Sequence, residues 1–572
     1  MIRLVLVLIR NIFHVVAFAL LLPFYAIGGL FGRKKHWVKI PLSGGVPMAG
    51  VGGLGRWFHD KPTFLQMRSN IKALAEDPQL EGIVLELNSF SVGPAIRAEV
   101  TEWIADARGA GKRVVAFGDM FTMQDYPVAA AANEIVMPPP GRLYTFKPRS
   151  EQIFANRALK KLGIFPQFIH IGAYKSASHR FIRENGTPSQ RGMTAELVDG
   201  MTAHSLAQVA RSRNLSPSAA AAVFSNSPLD AGKARHLQLT DAEVYRPDLE
   251  RWIEFGEVST QRPREDVKTH LTNYLAYLDG GLKLDWKPLF RKPIVALVDL
   301  SGFIVTPDVQ MPTAGAVIDS GVVIPLLERL AKNPNVQGVI LHIDSPGGSA
   351  LASDLIWQAV VDLKAEKPVV AWCSNVAASG GYYIAVGANE IICRPESIMG
   401  SIGVITGKFS IQETTKILGI EVETHGDDSS SMMSMFSPLQ GVGLESLKAD
   451  TRSFYQRFLQ RVGQARGLAP RRLHRFARGR VYLGEAAKTR GLVDHIGGFE
   501  EANRRIHALM ELDAAHTELK AYSHQRTSLR DAVKSSIMSA AIPGGMVSDQ
   551  AALVALTKQC TTLALMPIRL DA

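Results

Sequence analysis

EGIVLELNS (residues 81–89) and QGVILHIDS (residues 337–345) are two versions of one stretch, and their relation decides the architecture. Each is a short, largely β-branched apolar run closed by Asn-Ser or Asp-Ser, the pattern of a buried strand. AANEIV (131–136) returns as GANEII (387–392), and KLGI (161–164) returns as ILGI (417–420). All three pairs are offset by 256 residues, so the spacing is kept without a net gap. A constant offset of this kind marks a duplicated unit. A weaker echo, LDAGKARHL (229–237) against YLGEAAKTRGL (482–492), extends it further along both copies.

Outward from QGVILHIDS the elements alternate. SALASDLIWQAVVDLKAE carries apolar residues at helical spacing, KPVVAWC is a second strand, SGGYYIAVGA a short helix and NEIICRP a third strand. Strand–helix–strand succession with Val/Ile-rich strands predicts an α/β fold built on parallel sheets with outer helices. The organisation read from the chain is an amino-terminal segment 1–36, a first repeat 37–255, a linker 256–292, a second repeat 293–510 and a tail 511–572.

A chain of 572 residues suits two to four domains at about 150 residues each. With 46 % hydrophobic and 20 % charged residues it is globular rather than disordered or fibrous. The net charge of +11 comes without a basic block interleaved with aromatics, so an anionic membrane surface explains it better than nucleic acid. Cys373, Cys393 and Cys560 are too few and scattered for a disulfide framework or a zinc site, and no metal cluster or nucleotide loop suggests a cofactor. IFHVVAFALLLPFYAIGGLF (12–31) holds no Asp, Glu, Lys or Arg and is long enough to span a bilayer core, so one transmembrane helix is expected. No small-x-small cleavage site clearly follows it.

Differences between the copies point to the chemistry. The second strand run ends in Asp344-Ser345-Pro346-Gly347-Gly348-Ser349, where the first has Asn88-Ser89-Phe90-Ser91-Val92-Gly93. A Gly-Gly pair between strand and helix lets backbone N–H groups face an anion. Ala378-Ser379-Gly380-Gly381 opens the short helix of the second copy, and Met123 stands where Ser379 would be in the first. A serine nucleophile needs a proton acceptor. The second copy offers His342, which lies inside a strand, and His425, and no GxSxG elbow surrounds Ser379. The first copy instead offers Lys175, in GAYKSA (172–177), where the second has Ser431. One half holds the hydroxyl and the other the amine. Ser69-Asn70-Ile71-Lys72 also fits an SxxK pattern, but lies on a helical stretch without SDN- or KTG-like partners and reads as a solvated face.

SPGG, ASGGYY, GSIG (400–403) and YKSA together resemble the signal peptide peptidase A (protease IV) family in its long two-repeat form. The resemblance covers the chain from the amino-terminal segment to about residue 510. It implies two tandem ClpP/crotonase-like repeats and a membrane-anchored serine peptidase that degrades signal-peptide remnants and other hydrophobic peptides. It implies Ser379 as nucleophile, Lys175 as general base, Ser401 as the hydroxyl orienting the lysine, and Gly380, Gly347 and Gly348 as oxyanion-hole donors. It further implies a homotetramer around a bowl-shaped chamber. The chain would be single-pass in the bacterial inner membrane, its helix in contact with lipid and its body periplasmic. Ser178-His179-Arg180, where the family has an acidic residue and proline, and Met399 before GSIG depart from the pattern. Rival readings are a catalytically inactive membrane scaffold and a crotonase-type acyl-CoA enzyme, which would not need Lys175.

Overall fold

The computed structural model describes residues 2–30, 36–49, 61–225, 227–256, 267, 269–279, 292–307, 316–426, 428–523 and 563–565. The chain forms two compact units that do not follow chain order. One comprises residues 1–48, 61–147 and 202–292; the other comprises 49–60, 148–201 and 293–572. The segment 148–201, which carries Lys175, therefore belongs compactly with the second repeat.

In the first unit a six-stranded sheet runs Leu271–Asn273, His36–Leu42, Leu80–Leu87, Arg113–Phe117, Glu134–Met137 and Ala242–Glu243, in that spatial order. All its pairings are parallel. EGIVLELNS supplies the strand Leu80–Leu87, whose Ile83, Val84 and Leu85 have no solvent exposure. In the second unit the main sheet repeats this order as Glu518–Ser523, Ile294–Ser301, Val336–Ser345, Val369–Ala378, Glu390–Cys393 and His495–Ile496, again parallel. The segments read as linker and tail thus each supply an edge strand. Both are short and polar enough to carry no strand pattern of their own.

The copies also share side-chain devices. Tyr126 Oη donates to the Leu239 carbonyl and Tyr382 Oη to that of Leu492, each at 2.8 Å. Arg213 forks onto Asp241 and Arg466 onto Asp494, and each aspartate also accepts a strand N–H, from Ile135 and Ile391 respectively. These bonds tie the strand leaving the short helix to the segment that closes each repeat.

The second unit has a further sheet, ordered Val317–Asp319, Phe303–Val305, Gly347–Ser349, Leu563–Leu565, Val404–Ser410 and Phe165–Ile171. The pairing of Phe165–Ile171 with Val404–Ser410 is antiparallel over seven register positions. Helix Ala350–Glu366 lies where its apolar spacing predicts, and a longer helix, Gly441–Arg466, follows. Ser349 caps the former by accepting the Ala352 N–H.

Ile2–Leu30 is one helix. Among the described residues no helix is long and apolar enough to cross a membrane; the expected span 12–31 runs on into positions outside that set. Cys373 and Cys393 are free and buried, as small core residues. Cys560 lies outside the described residues.

Replacing Asp494 by Ala leaves the Arg466 guanidinium largely buried without its carboxylate. We expect a loss of about 3 kcal/mol of stability, read as a lower thermal midpoint. An unchanged midpoint would contradict the structural role given to this pair.

Candidate active site

Ser379 sits where the strand Val369–Ala378 turns into the helix Gly380–Ala385. Its backbone is left-handed, at φ 55° and ψ −114°, a conformation costly for a residue with a Cβ and kept where the surroundings over-determine it. The Ser379 N–H donates to the Gly400 carbonyl and its own carbonyl accepts the Tyr383 N–H, both at 2.8 Å. The backbone on either side is fixed, and the hydroxyl is left to other work.

Lys175 reaches this hydroxyl across 204 residues of sequence because strand pairing closes the distance. Ile171 pairs with Val404 at the end of the antiparallel ladder, so the loop leaving Ile171 meets the segment that begins with Ser401. There the Tyr174 N–H donates to the Arg478 carbonyl at 3.0 Å. The approach is close enough to require glycine on both sides. A Cβ on Gly172 would lie 2.3 Å from the Arg478 carbonyl, and one on Gly479 would lie 2.5 Å from the Lys175 backbone nitrogen; both have positive φ.

The result is a compact constellation. Lys175 Nζ is 2.7 Å from Ser379 Oγ, 2.9 Å from Ser401 Oγ and 3.1 Å from the Ser401 carbonyl oxygen. Lys175, Ser379 and Ser401 are all fully buried at 0 % exposure. Burial pushes the Lys175 amine well below its ordinary value of 10.5, because an ammonium loses most of its hydration there. A neutral amine has two N–H donors and one lone pair. With the donors on the two Ser401 oxygens, the lone pair is left to accept the Ser379 hydroxyl proton. Ser401 is held for this by its own positive φ of 54° and by its N–H, which donates to the Arg480 carbonyl at 2.8 Å.

The glycines pack beside the serine. A Cβ on Gly380 would lie 2.4 Å from Ser353 Oγ and 3.3 Å from the Gly347 Cα, so the strand Gly347–Ser349 passes directly alongside. Gly380 is the first helical residue, whose N–H has no acceptor within its helix. The Gly347 N–H instead donates to Ser345 Oγ at 3.2 Å, and that hydroxyl donates to the Gly302 carbonyl at 2.7 Å. Ser345, which entered the sequence reading only as part of SPGG, accepts the Gly347 N–H, and Ser353, which no motif marked, donates to the Ser349 carbonyl at 2.7 Å. Their signal was their place beside the two Gly-Gly pairs.

Other sequence candidates lie elsewhere. His342 bonds Asp299 at 2.9 Å and Ser374 at 2.8 Å within the core, its ring tilted against Trp372. His425 is exposed beside Glu423. Ser431 is buried and its carbonyl accepts from Lys408. Ser69 and Lys72 lie on the helix Phe64–Glu76, with Lys72 exposed towards Glu76. Met399 is a core residue, and His179 is buried against His170 and bonded to Gln190.

In the first copy the corresponding place is filled. Arg97 stands at the position of Ser353, and its guanidinium donates to the carbonyls of Val92 and Met123, at 3.1 and 3.5 Å. Val92 and Met123 are the counterparts of Gly348 and Ser379 under the 256-residue offset. A buried arginine occupies what the second copy leaves for a reacting group.

The sequence pattern of peptidase family S49 matches residues 106–255 and 361–513. The chain is 28 % identical over 448 residues to a protein of Arabidopsis thaliana named "Serine protease SPPA, chloroplastic", covering 76 % of this chain and 64 % of that one. It is 28 % identical over 458 residues to "Protease 4" of Haemophilus influenzae, covering 77 % and 72 %. It is 26 % identical over 463 residues to "Protease 4" of Salmonella typhi, covering 78 % and 72 %. The chain thus spans a little under two thirds of the Arabidopsis relative's length.

Gly479→Ala tests the glycine-dependent approach. A Cβ there displaces Lys175, and a displacement near 1 Å lowers kcat by about 10²-fold while KM changes little. Wild-type kcat in this variant would show that the contact does not set the lysine's position.

Proposed function

Because the chain belongs to peptidase family S49, and because a buried lysine amine stands 2.7 Å from Ser379 Oγ, we propose that it is a serine endopeptidase working through a Ser379/Lys175 dyad. Ser379 attacks a peptide carbonyl and forms an ester. Lys175 takes the hydroxyl proton and passes it to the leaving amine, then takes a proton from the water that hydrolyses the ester. Ser401 orients the amine. The N–H groups of Gly380 and Gly348 are the proposed donors to the oxyanion, with Gly347 shaping the strand beside them. Loss of one such donor costs about 10²–10³ in rate.

The proposed substrates are hydrophobic peptides, signal-peptide remnants among them. The proposed setting is the bacterial inner membrane, with the apolar run 12–31 as anchor and the body on the periplasmic side. The absence of Asp and Glu throughout residues 1–35 supports the anchor. A homotetramer is the proposed assembly. Exposed apolar side chains at Ile417, Leu418, Ile420, Met433 and Phe436 suit contact with another copy.

Ser379→Ala abolishes both peptide hydrolysis and labelling by a fluorophosphonate; persistence of either would exclude Ser379 as nucleophile. Lys175→Met lowers acylation by about 10²–10⁴-fold, and near wild-type turnover would point to another base.

The buried amine also fixes the sign of two pH effects. Its neutral form grows as pH rises, so kcat/KM climbs through an ionisation well below 10.5. For stability, the unfolded chain binds this proton at pH values where the folded chain does not. The unfavourable contribution is absent above 10.5 and grows as pH falls towards the folded value. Lys175→Met therefore raises the thermal midpoint at neutral pH while removing activity. A lowered midpoint would contradict the desolvated amine.

A further inference from the structure

Four buried polar atoms between residues 170 and 179 have no hydrogen-bond partner among the described residues: His170 Nδ1, Ser176 Oγ, Ser178 Oγ and His179 Nε2. Native interiors leave few such atoms, and here they gather on the one stretch that carries Lys175. His170 lies at the end of the strand Phe165–Ile171, and His179 opens the helix His179–Ile182. The lysine loop runs between them.

The two histidines are held alike. Gln190 Nε2 donates to Gln152 Oε1 at 2.6 Å, which turns Gln190 Oε1 towards His179 Nδ1, 3.0 Å away. An acceptor there fixes the proton on Nδ1 and leaves a lone pair on Nε2. His170 bonds to the backbone at Gly172; its Nδ1 is the nitrogen without a partner, so that bond falls to Nε2. Each ring thus spends its N–H on an acceptor and keeps a nitrogen lone pair unshared, which is how metal-bound imidazoles are held. Burial foremost, with the Arg183 guanidinium adding to it, pushes both rings below their ordinary 6.5, so neither is protonated at neutral pH.

The spacing suits a shared ion. The ring centroids are 5.1 Å apart, with the planes at 74°. A metal–nitrogen bond of about 2.0 Å and a ring radius of about 1.2 Å put each centroid about 3.2 Å from an ion, and a tetrahedral angle then separates two centroids by about 5.2 Å. His179 is 1 % exposed, whereas His170 is half-buried on a strand with no fully buried residue, which leaves a side for solvent. In the second copy Gly426 and Met435 stand at these positions, so the pair belongs to the first copy alone.

We propose that His170 Nδ1 and His179 Nε2 are the protein ligands of a site for a late first-row divalent cation, Zn²⁺ foremost, which ties together the two ends of the lysine loop. Imidazole nitrogen suits Zn²⁺, Cu²⁺ and Ni²⁺ over Mg²⁺ or Ca²⁺. No group of three His, Cys, Asp or Glu side chains that could hold a metal occurs among the described residues, so solvent fills the remaining positions. With two protein ligands and Arg183 nearby, binding is reversible. The site does not depend on Lys175 acting as a base.

The test uses the untagged full-length chain in detergent, stripped of metal by a chelator and titrated calorimetrically with ZnCl₂. The wild type binds one Zn²⁺ per chain, and its thermal midpoint rises as Zn²⁺ is added. His170→Gln and His179→Gln each weaken binding about tenfold or more. Gln190→Leu, which removes no ligand, weakens it about 10–100-fold by releasing the His179 tautomer. Anomalous diffraction at the zinc edge from wild-type crystals soaked in ZnCl₂ shows a peak between the two rings, a result that requires no variant to fold. Absence of saturable binding, binding undiminished in a folded chain lacking both histidines, or anomalous peaks only at other places overturns the assignment.

Discussion

A primary amine taken wholly out of water is the constraint on which the rest of the site depends. Burial at Lys175 penalises the ammonium, and no carboxylate is among the groups that shift its ionisation. Among the described residues Nζ lies within hydrogen-bond distance of two oxygens of Ser401 and one of Ser379. That number matches a neutral amine, with two donors satisfied and one lone pair directed at a hydroxyl. The surrounding structure keeps this arrangement in place. The seven-position ladder of Phe165–Ile171 with Val404–Ser410 brings the two chain segments together. Gly172 and Gly479 let the backbones approach, and left-handed Ser379 and Ser401 aim their side chains.

Duplication explains why such an arrangement is spread along the chain. Both copies keep the devices that hold the fold: the tyrosine on a distant carbonyl, the arginine–aspartate fork and the aspartate on a strand N–H. What differs is confined to the site. In one copy Arg97 donates across the place where a nucleophile and its glycine neighbour would be, and the glycine pair is gone. In the other the lysine is gone and Ser431 takes its position. Each copy lacks one of the two groups, and the segment 148–201, with its lysine, packs in the unit that holds Ser379.

Much of this was legible because it is written locally. The 256-residue offset, the β-branched runs and the Gly-Gly pairs each report on a few neighbouring residues, and they gave the parallel α/β copies and the contrast that set Ser379 against Lys175; Ser401 came only with the family resemblance. What escaped depends on packing between distant segments. Leu271–Asn273 and Glu518–Ser523 are strands only because a neighbouring sheet edge accepts them. The glycines at 172 and 479 look like ordinary loop residues until the two loops are laid together. Gly347 was expected to donate to an oxyanion, yet its N–H is taken by Ser345 Oγ, a hydroxyl two residues away that no spacing rule marks. The tail strand has the same character, since LAL has no alternation of its own and acquires meaning from what it pairs with.

Titration of the Lys175 ζ-nitrogen by NMR, with isotope-labelled lysine and assignment by its disappearance in Lys175→Met, tests the central claim most directly. An inflection well below 10.5 in the folded chain is the result this account requires. A nitrogen that remains an ammonium up to that value would contradict it, whatever the distances.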